Sequence, residues 1–222
     1  EFLVALNTYN YRTDWLALYK TGLEHYKNKQ FEMAIKIIEQ SVALCENHDV
    51  MKDLGTIYRE YGETFDDKVQ RLNCDQKAIQ YYKKILESNQ QMSISERFGI
   101  LSALCNIYFR YNNHTACAKY LEQLGTITGD SLHFSKSGYY YLTTKQIEKA
   151  LECYSKAIYL DPHNYFAYNN IAQIYCHLGA HHLIYDARNN AIQQVQAILR
   201  GDAKNNDETE NKIHNEYPII FS

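Results

Sequence analysis

The side chains with the most chemistry to offer are six cysteines and nine histidines. Thiolates and imidazoles act as nucleophiles, general bases and metal ligands, so their spacing is decisive. Cys45, Cys74, Cys105, Cys117, Cys153 and Cys176 are spread evenly, and none forms a CxxC pair. Each sits in an apolar helical pattern, which points to buried thiols in a reducing compartment. His181-His182 is the only tight histidine pair in the sequence. Neighbours on a helix project about 100° apart, so the two rings do not converge on one ion. His163 and His177 lack a cysteine or carboxylate at ligand spacing. Asp66-Asp67 reads as charge at a helix start, where it complements the macrodipole. P-loop, GxGxxG, HExxH and GxSxG patterns are absent. Whether folding brings a cysteine and a histidine together is left open. The expectation is a non-enzyme with no cofactor and no metal site.

What would position a surface instead is helix. The chain has only 2 Pro and 9 Gly, too few for many short strands joined by turns. A hydrophobic share of 45% and a charged share of 22% suit a folded soluble chain. The net charge is −3 with no basic block, so no electrostatic footprint for nucleic acid or an anionic membrane is expected. No apolar run approaches the ~18 residues of a membrane span, and no signal-peptide pattern opens the chain. A cytoplasmic location is expected. Tyrosine is unusual at 21 residues. Its apolar body and polar tip suit half-buried surfaces and grooves. AT-rich codon usage is the alternative source, since Asn, Ile and Lys are also common.

Self-similarity organises the chain. Gly22 and Gly55 are 33 residues apart, as are Cys105 and Gly138, and Ala172 follows Gly138 by 34. A second ladder runs beside the first: Cys117 precedes Ala150 by 33, and Tyr108, Tyr141 and Tyr175 are 33 and 34 apart. One helix of each repeat carries a small residue followed three on by Tyr, as in Gly55 and Tyr58, or Gly138 and Tyr141. The other carries a small residue with apolar partners at +4 and +7, as in Ala150, Tyr154 and Ala157. These spacings share one helix face. The small residues let paired helices approach, and aromatics fill the space that remains. The second repeat is longer, because Ala34 to Ala78 is 44 residues, eleven beyond the period. Eleven residues are close to three helical turns, so the insertion lengthens helices without rotating the downstream face. Val69, Leu72 and Ile79 continue an apolar stripe, and Thr64, Asp66 and Asp67 mark a start. A helix from about Asp66 to Glu87, protruding beyond its neighbours, is predicted, followed by a looser linker from Ser88 to Ser93.

These residues resemble the tetratricopeptide repeat family, whose units of about 34 residues favour a small residue, Tyr, Ala, an aromatic, Ala and Pro. Ser131 to Asn164 matches best, with Phe134, Gly138, Tyr141, Ala150, Tyr154, Ala157 and Pro162 in place. The repeat from Tyr165 has Tyr168, Ala172, Tyr175, Gly179 and Ala191, while Ile184 and Arg188 depart from the pattern. The first, from about Trp15, keeps Gly22 and Ala34 but has His25 where Tyr is expected. The repeat from about Phe98 keeps Leu104 and Tyr108 and has Cys105 and Cys117 at its small positions. The resemblance covers roughly residues 15–200, in about five repeats near 15–47, 48–93, 98–130, 131–164 and 165–200. It implies an all-α fold, a right-handed α-solenoid of antiparallel helix pairs, one with an 11-residue helical insertion. Residues 1–14 are an N-terminal extension or the end of a preceding helix. Residues 201–222 are a polar linker or tail with an apolar end, Tyr217 to Phe221, which docks on the last repeat or belongs to a following domain.

The resemblance also implies a concave groove lined by the first helix of each repeat. Asn106, Asn169, Asn170 and Gln173 would hold an extended peptide's backbone through paired donors and acceptors. Tyr26 and Tyr139 would supply apolar walls, with Tyr19 at a matching position, and Lys52, Arg59 and Arg110 would favour an acidic segment. The positions after the small residues are Leu23, Thr56, Asn106, Tyr139 and Gln173. They lack the Lys and Asn set with which chaperone-adaptor repeats grip a C-terminal carboxylate. The leading expectation is a protein-interaction scaffold for a partner peptide or helix. The chain begins at Glu1-Phe2 without Met, which motivates a second: an accessory repeat domain of a larger enzyme or secreted effector. A third is homo-oligomerisation through an end repeat, since no polar capping helix follows Arg200.

Overall fold

The computed structural model describes residues 2–88 and 91–177, with Gly179, Asn189, Asn190 and Gln193 beyond; for residues 2–13 it describes the backbone alone. Every regular element among them is an α-helix. In chain order these are α1 (Phe2–Lys27), α2 (Phe31–Leu44), α3 (His48–Glu63), α4 (Lys68–Glu87), α5 (Ile94–Arg110), α6 (His114–Thr128), α7 (Ser131–Thr143), α8 (Ile147–Leu160) and α9 (Tyr165–His177). The chain divides into two compact units, Glu1–Ile100 and Leu101–Ser222. In the first, α1 packs on α2, α2 on α3 and α3 on α4; in the second, α6 packs on α7, α7 on α8 and α8 on α9.

Short turns make the pairs. In the α1–α2 turn the Gln30 N–H donates to His25 O and the Lys29 N–H to Tyr26 O, both at 2.9 Å. The same two bonds recur from Asn113 to Tyr108 and Asn112 to Phe109, and from Gln146 to Tyr141 and Lys145 to Leu142. This is the Schellman arrangement, which satisfies the last helical carbonyls and needs one left-handed residue. That residue is Lys29, Asn112 or Lys145, at φ 60°, 54° and 61°. Side chains begin the next helices. Asn47 Oδ1 accepts from the Asp49 and Val50 N–H, Asn113 from Ala116 and Asp130 from Leu132. Ser93 and Glu96 form a reciprocal capping box at the start of α5.

Within each pair, helix axes approach at the small residues. Gly22 lies against Ile38, Gly55 against Tyr82 and Gly138 against Tyr154. A Cβ on Gly55 or Gly138 would meet the facing ring carbon at 2.8 Å. Ile38, Tyr82 and Tyr154 each stand four residues after Ala34, Ala78 and Ala150, all buried. One spacing therefore builds one crossing three times, and these crossings are the core of each unit. Ala118, Phe134, Tyr141, Cys153 and Ile174 extend it through the second unit.

The eleven-residue insertion is shared between both helices of its pair. Gly55 lies eight residues before the end of α3, whereas Gly22 lies five before the end of α1. Ala78 is the eleventh residue of α4, whereas Ala34 is the fourth of α2. So three residues lengthen α3, one joins the turn and seven lengthen α4. The extension has its own close approach, Gly62 against Cys74, and Arg71 binds the Gly62 and Phe65 carbonyls. The helix expected from Asp66 starts at Lys68, because the Asp67 side chain stays outside and accepts the Val69 N–H at 3.1 Å. Val69 is 63% exposed and leaves the buried stripe, which runs through Cys74, Ala78, Tyr82 and Ile85. The boundary expected near residue 15 falls inside α1, a single helix of 26 residues. His181-His182, the Ile184, Arg188 and Ala191 positions, the tail from 201 and the end-repeat surface for self-association lie outside the described residues. Among the described residues, no helix is long and apolar enough to cross a membrane.

Candidate functional site

The first-helix face of the N-terminal unit is built from α1 and α3. Tyr19 Oη donates to Asp53 Oδ2 at 2.5 Å, and Tyr26 Oη donates to Glu60 Oε2 at 2.7 Å. Both pairs are separated by 34 residues, one repeat, so each bond ties a first helix to the next first helix. Burial and then the Asp53 hydrogen bond push the Tyr19 phenol well above its usual range. Burial and then Glu60 push Tyr26 up to about 12, against the opposing charge of Arg59. Lys52 contacts Asp49 Oδ1 at 3.2 Å and Glu96 Oε1 at 3.6 Å. Against the burial that would lower it, Asp49 and Glu96 hold the Lys52 ammonium above its usual value. Lys52, one of the cationic positions expected to attract an acidic segment, thus stands between carboxylates of its own unit. Lys52 also borders a cavity of about 180 Å³ lined by Asn47, Asp49, Ile85, Met92, Glu96 and Ile100.

The C-terminal unit presents the same helix face differently. Asn106, Tyr139 and Gln173 each follow the small residue of α5, α7 and α9, and all three are exposed, Tyr139 at 46%. Arg110 is exposed and Asn169 half-buried. Asn170 is a correction: it is 5% exposed, and its Nδ2 donates to Phe166 O at 2.7 Å inside its own helix. It cannot reach a surface ligand, because α9 turns this position inward beside Ala167 and Ile174. Beside the exposed row stands an aromatic shelf. The Tyr140 ring stacks on His114 at 5.3 Å and 8°, with Phe109 and Tyr139 edge-on at 6.2 and 5.6 Å. Phe109 is 55% exposed. The α7–α9 spacing is fixed from beneath by buried Asn164, whose Nδ2 donates to Ser131 and Ser135 Oγ while its Oδ1 caps the Ala167 N–H.

Sequence reasoning named the tyrosines but missed their acceptors. Tyr58 Oη donates to Glu39 at 2.7 Å, joined there by Tyr81 at 3.4 Å, and Tyr61 Oη donates to Glu32 at 2.7 Å. Burial, ahead of these carboxylates, raises the Tyr61 and Tyr81 phenols to about 12. The abundance of tyrosine therefore has a structural use in bridging neighbouring helices. The available signal was an acidic residue one period after Tyr19 and Tyr26. Phe109 and Tyr140 were also missed, although each adjoins a residue of the repeat ladder. Among the described residues, no three His, Cys, Asp or Glu side chains gather as a metal site.

Residues 135–164 and 153–184 match the tetratricopeptide repeat, the first spanning most of α7 and α8 and the second running from α8 through α9. No curated protein matches the chain. A crystal structure of MamA protein superposes with a TM-score of 0.50 at 17% identity, covering 87% of this chain and 98% of that one. Another crystal structure of MamA gives 0.47 at 18% identity, covering 81% and 96%, and MamA from Desulfovibrio magneticus RS-1 gives 0.45 at 13%, covering 83% and 96%. At this identity the likeness bears on the fold alone. Residues 135–184 thus carry the tetratricopeptide repeat, with the Gly138–Tyr154 crossing inside the matched stretch.

Proposed function

We propose that the chain is a non-catalytic protein-interaction scaffold that holds an extended peptide or helix of a partner on the first-helix face of its C-terminal unit. Repeat arrays present long binding surfaces because each repeat contacts only its neighbours. The observation that carries the assignment is the exposed row of Asn106, Tyr139 and Gln173 beside the Phe109–Tyr140 shelf. Amide side chains offer a donor and an acceptor to a peptide backbone, and the rings offer walls to its side chains. Ordering a peptide is costly, so its affinity must be gathered over several such positions.

The test is selection of peptides from a random library on the immobilised full chain. The selected peptides are then titrated against the triple variant Asn106→Ala, Tyr139→Ala, Gln173→Ala. Loss of at least about 10-fold in affinity, roughly 1.4 kcal/mol, with an unchanged melting curve supports the assignment. Equal affinity for the variant overturns it.

A further inference from the structure

The third helix pair departs from the others in one respect. Its two small positions, glycine with alanine in the pairs around Gly22, Gly55 and Gly138, are both cysteine. Because the small positions mark where paired helices come closest, the two thiols are pressed together. Cys105 Sγ lies 3.0 Å from Cys117 Sγ, about 1 Å beyond a disulfide bond length. Cys105 is half-buried and Cys117 is buried. A hydrogen bond from Cys117, with Lys136 nearby, lowers the Cys105 thiol below its ordinary value, while the same contact and burial raise Cys117. That asymmetry divides the roles: the more accessible sulfur is the more readily ionised.

We propose that Cys105 and Cys117 are an oxidation site, a thiol pair that a hydroperoxide converts to a disulfide joining α5 to α6. The Cys105 thiolate attacks the peroxide oxygen. The O–O bond breaks, the distal oxygen leaves as water or alcohol after protonation, and Cys105 becomes a sulfenic acid. The Cys117 sulfur then attacks the Cys105 sulfur. The S–O bond breaks as S–S forms, and the hydroxyl leaves with the Cys117 proton as water. Two electrons pass from the thiols to the peroxide, and no other reactant is needed. Burial first, and then the same two thiols, raise the Tyr140 phenol of the aromatic shelf.

The experiment uses the full chain, reduced, exposed to hydrogen peroxide, then alkylated in denaturant and digested with trypsin. Cleavage after Arg97, Arg110 and Lys119 places the two cysteines on separate peptides, Phe98–Arg110 and Tyr111–Lys119. The expected product is those two peptides joined, lighter by two hydrogen atoms and separated by dithiothreitol. It should form at least about 10-fold faster than any pairing that involves Cys45, Cys74, Cys153 or Cys176, because exchange and closure depend on access and proximity. In Cys117→Ser the sulfenic acid should persist at Cys105, where dimedone traps it. Recovery of both peptides fully alkylated while other cysteines oxidise overturns the proposal. So does indiscriminate pairing, or dimedone capture at Cys117 instead of Cys105 in the unaltered chain.

Discussion

The two units use one helix face in opposite ways. In the N-terminal unit, Tyr19 and Tyr26 project from α1 and are taken up by Asp53 and Glu60 of α3. In the C-terminal unit, Asn106, Tyr139 and Gln173 project from α5, α7 and α9 and remain exposed. The difference arises one period downstream. Where the next repeat supplies a carboxylate, the face becomes a seam that holds the array together. Where it supplies an amide or an aromatic, the face stays available. A residue's place in the repeat sets its direction, and its neighbour in the next repeat decides its use.

The crossings are common to both units, so they calibrate everything else. Tyr82→Ala and Tyr154→Ala should each cost about 3–5 kcal/mol in chemical denaturation, as for other buried aromatics. A much smaller loss at Tyr154 alone would mean that the C-terminal unit does not depend on the crossing. Gly138→Ala should cost about 1–3 kcal/mol, because the new methyl would stand 2.8 Å from the buried Tyr154 ring. Tyr19→Phe and Tyr26→Phe should each cost about 1–2 kcal/mol without altering peptide affinity, since each removes one bond to a charged acceptor. Tyr139→Ala should do the reverse, weakening peptide binding while leaving stability within about 0.5 kcal/mol.

Alkali should probe the same contrast. Tyr26 and Tyr61 of the N-terminal unit are held up to about 12, whereas an unfolded tyrosine titrates near about 10. The native chain keeps these protons while the unfolded chain loses them. Their contribution should be complete below about pH 10 and fall away as pH rises toward about 12. Denaturation midpoints across that window should decline more gently in the Tyr26→Phe, Tyr61→Phe variant. The smallest effect belongs to the turns. Lys29→Gly and Lys145→Gly should each gain about 1 kcal/mol by relieving a left-handed residue, visible as a raised melting temperature.

The helix pairs were legible because their code is local and periodic. Gly138, Ala150 and Tyr154 announce a crossing through spacing alone, and the crossing stands where that spacing puts it. The insertion was legible in length but not in its division, since nothing in the spacing says that α3 takes part of it. The start of α4 was missed by two residues because Asp67 serves equally well as first-turn charge or as cap, and its side-chain bond decides. Asn170 was misplaced for a related reason. Asn169 and Asn170 are adjacent, a helix turns only one of them outward, and polarity alone does not say which. The tyrosine–carboxylate seam was hidden because it pairs residues one full repeat apart on different helices.

At stake is whether the C-terminal unit carries the binding face while the N-terminal face serves as a seam. The direct measurement is amide hydrogen–deuterium exchange of the full chain with and without a library-selected peptide. Slower exchange confined to α5 beyond Leu101, α7 and α9, with α1 and α3 unchanged, is the result this structure predicts. Slower exchange in α1 and α3, with α7 and α9 unaffected, would contradict it.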